Sequence, residues 1–202
     1  MIRAAVFASG NGSNFQALAE AGKKGALGPV EIALMVTDQE KAPVRDRARR
    51  AGIKELFIDP VSCASPRAYE QALTAVLERE RIELILLAGY MRILGEQFVA
   101  RYRHKIINIH PSLLPLYKGV HSIERAFNAR EKETGVTVHF VDEKIDHGPV
   151  VLQEKIAILP EDTVVSLEEK VHQLEHRLYP QAVRFYAEGK VQVEKDGSVK
   201  IL

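Results

Sequence analysis

The chain has a single cysteine, Cys63, and no tryptophan. A lone thiol excludes an intramolecular disulfide and fits a reducing compartment. Its flanks, Val61-Ser62-Cys63-Ala64-Ser65-Pro66, read as a loop with no His or Asp beside the thiol, so a plain loop residue is expected rather than a nucleophile. A charge surplus is missing too: 28 Lys plus Arg stand against 27 Asp plus Glu, for a formal net charge of +1. That balance removes the general reason to expect nucleic acid or an anionic membrane as a partner. There is no long apolar run either. The opening stretch Ile2 to Ala8 is too short for a signal peptide or a membrane span. Neither an internal repeat nor a low-complexity tract is found. These absences leave a soluble, cytoplasmic protein as the expectation. What remains, 202 residues of which 46% are hydrophobic, is enough for one domain with a sizeable core.

The hydrophobic pattern alternates between two periods. Ile2 to Ala8, Val30 to Val36, Glu55 to Ile58, Leu84 to Ala88 and Lys105 to Ile109 read as short strands, apolar enough to be buried on both faces. Between them, helices are expected over Asn14 to Lys24, Pro43 to Ala51, Ser65 to about Arg81 and Gly95 to Tyr102. Ser122 to Arg130 reads as helix, Val136 to Val141 and Val150 to Ile158 as strands. Thr163 to Ala187 reads as a long helix with Pro180 as a possible bend. The end alternates around Asp196-Gly197, a hairpin signal. Strand–helix alternation predicts an α/β fold: a Rossmann-like, open, mostly parallel sheet with helices on both faces and a C-terminal hairpin. No linker divides it, so 1–202 is expected to be one domain. In such sheets ligands sit beyond the carboxyl ends of the strands. Three stretches fall there: Ser9 to Asn14, Gly89 to Leu94, and Asn108 onward.

Each stretch has two readings. In Ser9-Gly10-Asn11-Gly12-Ser13-Asn14 the glycines permit a tight turn, and free N–H groups at a helix start attract a phosphate. Alternatively Ser13 or Asn14 simply caps the helix. No Gly-Lys-Ser/Thr follows, so this is not a Walker loop. Phe15 stands where a dinucleotide fingerprint has its third glycine, although Asp38 after the second strand keeps a nicotinamide cofactor open on spacing. His172-Gln173-Leu174-Glu175-His176 matches an H-x-x-E-H zinc pattern in form. With no further ligand singled out, a solvated helix face is the favoured reading, with Glu175 of interest as a hydroxyl acceptor. Asn108 and His110, two apart on a strand, project to one side. An amide beside an imidazole supplies what an acyl-transfer oxyanion needs, one hydrogen bond and one proton donor. Pro111 and Pro115 would restrict the loop that follows. The bland alternative is a strand end with a surface His. In Asp142 to Pro149, Asp146 or Glu143 could orient a His or accept a proton, or the stretch is only a solvated turn.

Taken in order, Gly10-Asn11-Gly12-Ser13-Asn14, A-G-Y-M-R-I-L at 88–94, N-I-H-P-S-L-L-P at 108–115, G-V-T-V-H-F-V at 135–141 and D-H-G-P at 146–149 form a pattern. It resembles the phosphoribosylglycinamide formyltransferase family, folate-dependent enzymes of purine synthesis, from about residue 2 to Pro180. The N-x-H-P-S-L-L-P motif marks the wider 10-formyltetrahydrofolate hydrolase and transferase group, and the glycine loop narrows it. The extra domains of methionyl-tRNA formyltransferase and formyltetrahydrofolate deformylase do not fit in this length. A deformylase or another formyltransferase on the same core is the alternative.

The resemblance implies that 1–104 is a phosphate-binding half and 105–202 a catalytic and folate-binding half of the one domain, with the following roles. Asn108, His110 and Asp146 are the catalytic trio. Gly12, Ser13 and Asn14 hold a phosphate, and Glu175 a ribose hydroxyl. Met91, Arg92, Ile93 and Leu94, with Asn108, Asp142, Glu143, Lys144, Ile145 and Asp146, line a folate pocket, and Arg67 meets the folate's glutamate tail. The co-substrate is 10-formyltetrahydrofolate and the acceptor phosphoribosylglycinamide. No metal, nucleic acid or membrane is implied. The amine would attack the formyl carbon directly, Asn108 and protonated His110 would bind the oxyanion, and Asp146 would favour the imidazolium and relay a proton through water. His147, Leu116 and Lys118 depart from the family pattern and bear on fine folate preference.

Overall fold

The computed structural model describes all 202 residues. Seven strands make one sheet in the order β3-β2-β1-β4-β5-β6-β7: β1 Ile2–Phe7, β2 Val30–Thr37, β3 Lys54–Phe57, β4 Leu84–Leu87, β5 Ile106–His110, β6 Glu133–Phe140 and β7 Val150–Ala157. β1 to β5 pair in parallel, whereas β6 joins β5 and β7 joins β6 antiparallel. The helices are α1 Ser13–Lys23, α2 Val44–Ala51, α3 Pro66–Arg79, α4 Glu96–Arg101, α5 Ser122–Asn128 and α6 Val164–Ala187. A separate hairpin, β8 Val191–Val193 with β9 Val199–Ile201, closes the chain.

The period-2 geometry of each strand explains why its run is apolar throughout. Ala4 and Val6 of β1 join a core layer with α1, α2 and α6, while Ala5 and Phe7 join a second layer with α3 and α4. β5 does the same, sending Ile107 and Ile109 toward α6 and Ile106 to the other side. Asn108 and His110 share the Ile106 side by alternation.

Several boundaries differ from the sequence reading for local reasons. β6 starts at Glu133 because an antiparallel ladder with β7 continues to Glu133 opposite Ala157. β5 runs through His110, which pairs with Thr137. α6 passes through Pro180 unbroken; the missing N–H leaves the His176 carbonyl without its helical donor. The same helix opens on a capping box between Thr163 and Ser166. Its fully buried Tyr179 puts a hydroxyl 3.0 Å from the Leu87 carbonyl and 2.9 Å from that of Ile107. That contact fixes α6 to the carboxyl end of β4 and the start of β5. The strand order reverses between β1 and β4, so the loops after these strands diverge and leave a crevice.

Candidate active site

The register of β5 and β6 brings polar side chains face to face. Asn108 lies opposite His139, and His110 opposite Thr137. His139 is 1% exposed. Its burial holds the imidazole below its usual range, against the pull of the Phe140 carbonyl and the Asp146 charge. The ring is therefore neutral at physiological pH. Nδ1–H donates to the Phe140 carbonyl at 2.7 Å, which leaves Nε2 as an acceptor for the Asn108 amide at 3.2 Å. The Asn108 NH₂ is thereby turned toward His139 of β6.

His110 has an acceptor at each ring nitrogen. Nε2 lies 2.9 Å from the Tyr117 carbonyl and Nδ1 3.4 Å from Asp146 Oδ2. The first contact is a hydrogen bond; the second is an ion-pair distance. Asp146 Oδ2 also accepts from the Gly119 amide at 2.8 Å, and Oδ1 is 3.8 Å from His139 Nε2. The structure thus brings the expected trio together and adds His139, a fourth member the sequence reading passed over. Its signal was available: Val136, Val138 and Phe140 alternate with Thr137 and His139, so the polar pair shares one strand face.

Asp146 reaches this cluster because its loop folds back on β6. Its φ is 46°, in the left-handed region. Two residues later, a Cβ on Gly148 would overlap the Phe140 carbonyl, so only glycine permits that approach. Asp142 holds the other side of the turn, accepting from the Lys144 amide at 3.0 Å and pairing with His147 Nδ1 at 2.7 Å. Partial burial works against the Asp142 charge, but the His147 and Lys144 hydrogen bonds prevail and hold its carboxyl below the usual range. The unusual His147 is therefore a brace for this loop.

The proline loop after β5 is held by more than its prolines. The Leu114–Pro115 peptide is cis. Thr137 Oγ1 donates to the Ser112 carbonyl at 2.7 Å and accepts from the Leu114 amide at 3.1 Å. Gln153 donates to the Leu114 carbonyl at 2.9 Å. Leu116 is exposed, and the Lys118 carbonyl accepts from Arg125.

At the start of α1 neither Ser13 nor Asn14 acts as cap. The N-cap is Gly12, left-handed at φ 77°, with no side-chain cap and no acid in the first turn. A Cβ on Gly12 would overlap Val44. The first-turn N–H groups are left for an anion. Arg47 steadies the loop by bonding the Asn11 carbonyl at 2.7 Å and its side chain at 2.9 Å. Asn14 turns its side chain elsewhere, donating to Glu175 Oε2 at 3.1 Å. Glu175, 3% exposed, comes from α6, so this contact ties the glycine loop to the second half of the chain.

The 89–94 segment is pinned by Ser9, whose amide donates to the Gly89 carbonyl and whose hydroxyl accepts from the Met91 amide at 2.9 Å. Met91 and Ile93 are 68% and 75% exposed, and Ile145 is exposed too, leaving apolar surface for a flat ligand to cover. Leu94 is partly buried, and Arg92 lies over the Tyr69 ring at 4.9 Å. Arg67, in the first turn of α3, is exposed, as are Glu143 and Lys144.

Two other sequence readings lose their support. Asp38 has both oxygens engaged, by Ser9 Oγ at 2.5 Å and Gln39 Nε2 at 3.1 Å, so it is not a free ribose ligand for a nicotinamide cofactor. His172 bonds Glu175, while His176 stacks on His172 with ring centroids 6.5 Å apart. No His, Cys, Asp and Glu group of three or more is arranged there to hold a metal.

Comparison with known proteins now settles the lineage. The model of the family described as formyl transferase matches residues 2–183. The chain belongs to the formyl transferase family. It is 43% identical over 184 residues to the phosphoribosylglycinamide formyltransferase of Bacillus subtilis (strain 168), covering 91% of this chain and 94% of that one. It is 41% identical over 197 residues to the trifunctional purine biosynthetic protein adenosine-3 of Drosophila melanogaster, covering 97% of this chain and 15% of that protein. Among solved structures, glycinamide ribonucleotide transformylase 1 from Symbiobacterium toebii superposes with a TM-score of 0.96 at 39% identity, over 100% of this chain and 94% of that one. A formyltetrahydrofolate deformylase from Pseudomonas syringae pv. tomato shares the fold, at 22% identity and a TM-score of 0.89 over 100% of this chain and 66% of that one. This formyltransferase carries its buried polar cluster of Asn108, His110, His139 and Asp146 at the end of β5.

Proposed function

We propose that the enzyme moves the formyl group of 10-formyltetrahydrofolate to the amine of phosphoribosylglycinamide, as a cytoplasmic step of purine synthesis carried by a single domain. One observation carries this reading: Asn108, His110 and Asp146 gather around His139 at the carboxyl end of β5, on the same edge of the parallel sheet as the uncapped start of α1, which Asn14 links to the buried Glu175.

The N–H groups of Gly12, Ser13 and Asn14 receive the phosphate, and Glu175 accepts from the ribose hydroxyls. Met91, Ile93, Leu94 and Ile145 cover the pterin, the Asp142 to Asp146 backbone meets its polar edge, and Arg67 takes the glutamate tail. The exposed apolar side chains at the strand ends fit a flat heterocycle of this kind. The uncharged amine attacks the formyl carbon, and a tetrahedral oxyanion develops. Asn108 donates one hydrogen bond to it, and His110 a second through Nε2–H once that group leaves the Tyr117 carbonyl. Asp146 holds the imidazole in place and takes part, through water, in moving the amine proton to the leaving folate nitrogen. The C–N bond to folate then breaks, with no covalent enzyme intermediate.

An absorbance assay of folate release with and without phosphoribosylglycinamide tests this. Release that needs the amine supports the transferase. Equal release with water alone would make the enzyme a deformylase, a reading that rests here on fold likeness only.

A further inference from the structure

The H-x-x-E-H stretch of α6 is left over from the chemistry above, yet it is not idle. His172 and Glu175, three apart, share a helix face, and His172 Nδ1–H donates to Glu175 Oε2 at 2.9 Å. The same oxygen accepts from Asn14 at 3.1 Å. Two donors thus fix one oxygen of a carboxylate that is 3% exposed, while no group of the chain bonds Oε1. The imidazole itself is half exposed, so it sits between solvent and the buried acid.

We propose that His172 is a positioning residue for the acceptor substrate: its imidazolium holds Glu175 rotated so that Oε1 alone is presented to a vicinal diol. This rests on the reading of Glu175 as the ribose acceptor. The physical need arises on binding. When a sugar covers Glu175, its remaining water is lost, and an unpaired buried carboxylate would be costly. A cation already in contact offsets that cost without taking the free oxygen. Asn14 adds the second bond from α1, which joins the diol site to the phosphate loop, so both ends of a phosphorylated ribose are set by one network.

The groups facing His172 are few. On its own helix they are Glu175, Glu168 one turn before, and the stacked ring of His176; from α1, Asn14 meets the same Glu175 oxygen. The Glu175 hydrogen bond raises the His172 pKa above its ordinary value, partial burial opposes it, and the charges of Glu175 and Glu168 add to the rise. The charged form is thus the working form up to that raised value, and acceptor binding should weaken as pH climbs through it.

The test is steady-state kinetics of His172→Gln, His172→Lys and Glu175→Gln on the full chain from pH 6 to 9. Gln keeps a hydrogen-bond donor and drops the charge; Lys keeps a charge that does not titrate in this window. KM for phosphoribosylglycinamide in His172→Gln should rise about three- to tenfold at the acid end and lose its pH dependence, a modest factor because the imidazole is half solvated. Saturated kcat and the folate KM should hold, and His172→Lys should keep the low KM across the range. Glu175→Gln with raised KM but His172→Gln without would overturn the positioning role. Parallel losses of kcat, both KM values and melting temperature in His172→Gln would overturn it as well, as a merely structural effect. If Glu175→Gln itself leaves KM unmoved, the ribose reading falls first and the proposal falls with it.

Discussion

A neutral imidazole is what keeps Asn108 aimed. His139 has only one lone pair to offer, because Nδ1–H is spent on the Phe140 carbonyl, so the Asn108 amide can face it only with its NH₂. The other amide hydrogen is then free for an oxyanion. Removing the donor in Asn108→Ala should lower kcat by about 10²–10³. Removing the ring in His110→Ala should lower it by about 10²–10⁴. Both are read from single-turnover formyl transfer, with smaller changes in substrate binding; near-normal turnover in either variant would exclude that residue from the reaction. His139→Leu should cost about 10- to 100-fold in kcat by letting the amide rotate, since small misplacements in a reacting site are expensive. His139→Gln, which retains an acceptor oxygen, should lose less. Equal losses in the two would argue against an orienting role. At this scale much was legible. Asn108 and His110 stand out as polar residues ending an apolar run, and Asp146 came through family likeness. His139 was not singled out because its partner across the ladder depends on register, which a list of motifs does not supply.

In the proposed phosphate site an element, helix α1, does the binding rather than a side chain. Its N-terminus has no side-chain cap and no acidic first turn, so its partial positive charge is unspent. Gly12 allows this by adopting φ 77° against Val44 of α2. Gly12→Ala should therefore destabilise the fold by about 1–3 kcal/mol through left-handed strain and the Val44 overlap, and raise KM for the phosphorylated acceptor. Urea unfolding and acceptor titration, done on the same preparation, check both; a variant with wild-type stability and KM would remove Gly12 from the cradle. The strand and helix pattern was readable from periodicity because buried parallel strands are short apolar runs closed by glycine or proline. What was not readable was use: Ser13 and Asn14 have the chemistry of caps, but Asn14 is drawn away by a carboxylate 161 residues later. β6 likewise begins before its apolar core, at Glu133, because pairing with β7 extends it. Tertiary partners decided both.

Across the whole molecule the sheet gathers its site from distant parts of the chain, and this gives the fold a pH signature. The imidazoles of His104, His139 and His176 are held below their ordinary values, each chiefly by burial. In the unfolded chain they return to about 6.5 and bind protons more readily. Each therefore contributes stability that is complete above about 6.5 and lost as pH falls through its folded-state value. His172 runs the other way: its stabilisation is complete below about 6.5 and lost as pH rises through its raised folded value. The carboxyls of Glu55 and Asp142 are lowered, Glu55 first by its Arg45 hydrogen bond and Asp142 by hydrogen bonds that overcome its burial, so they add a second loss nearer their ordinary range of about 4. Three lowered imidazoles against one raised make the first acid step a net loss, with His139, 1% exposed, as its main source. Urea midpoints measured at half-unit intervals from pH 8 to 4 should fall in two stages, the first beginning just below about 6.5. His139→Gln should flatten that first stage while leaving the second, and the slope rather than the absolute midpoint is the quantity to compare, since the substitution shifts the level on its own. A His139→Gln profile that keeps the whole first stage would mean that His139 is not its source, and burial of a neutral His139 would then be lost as the explanation for how Asn108 is oriented.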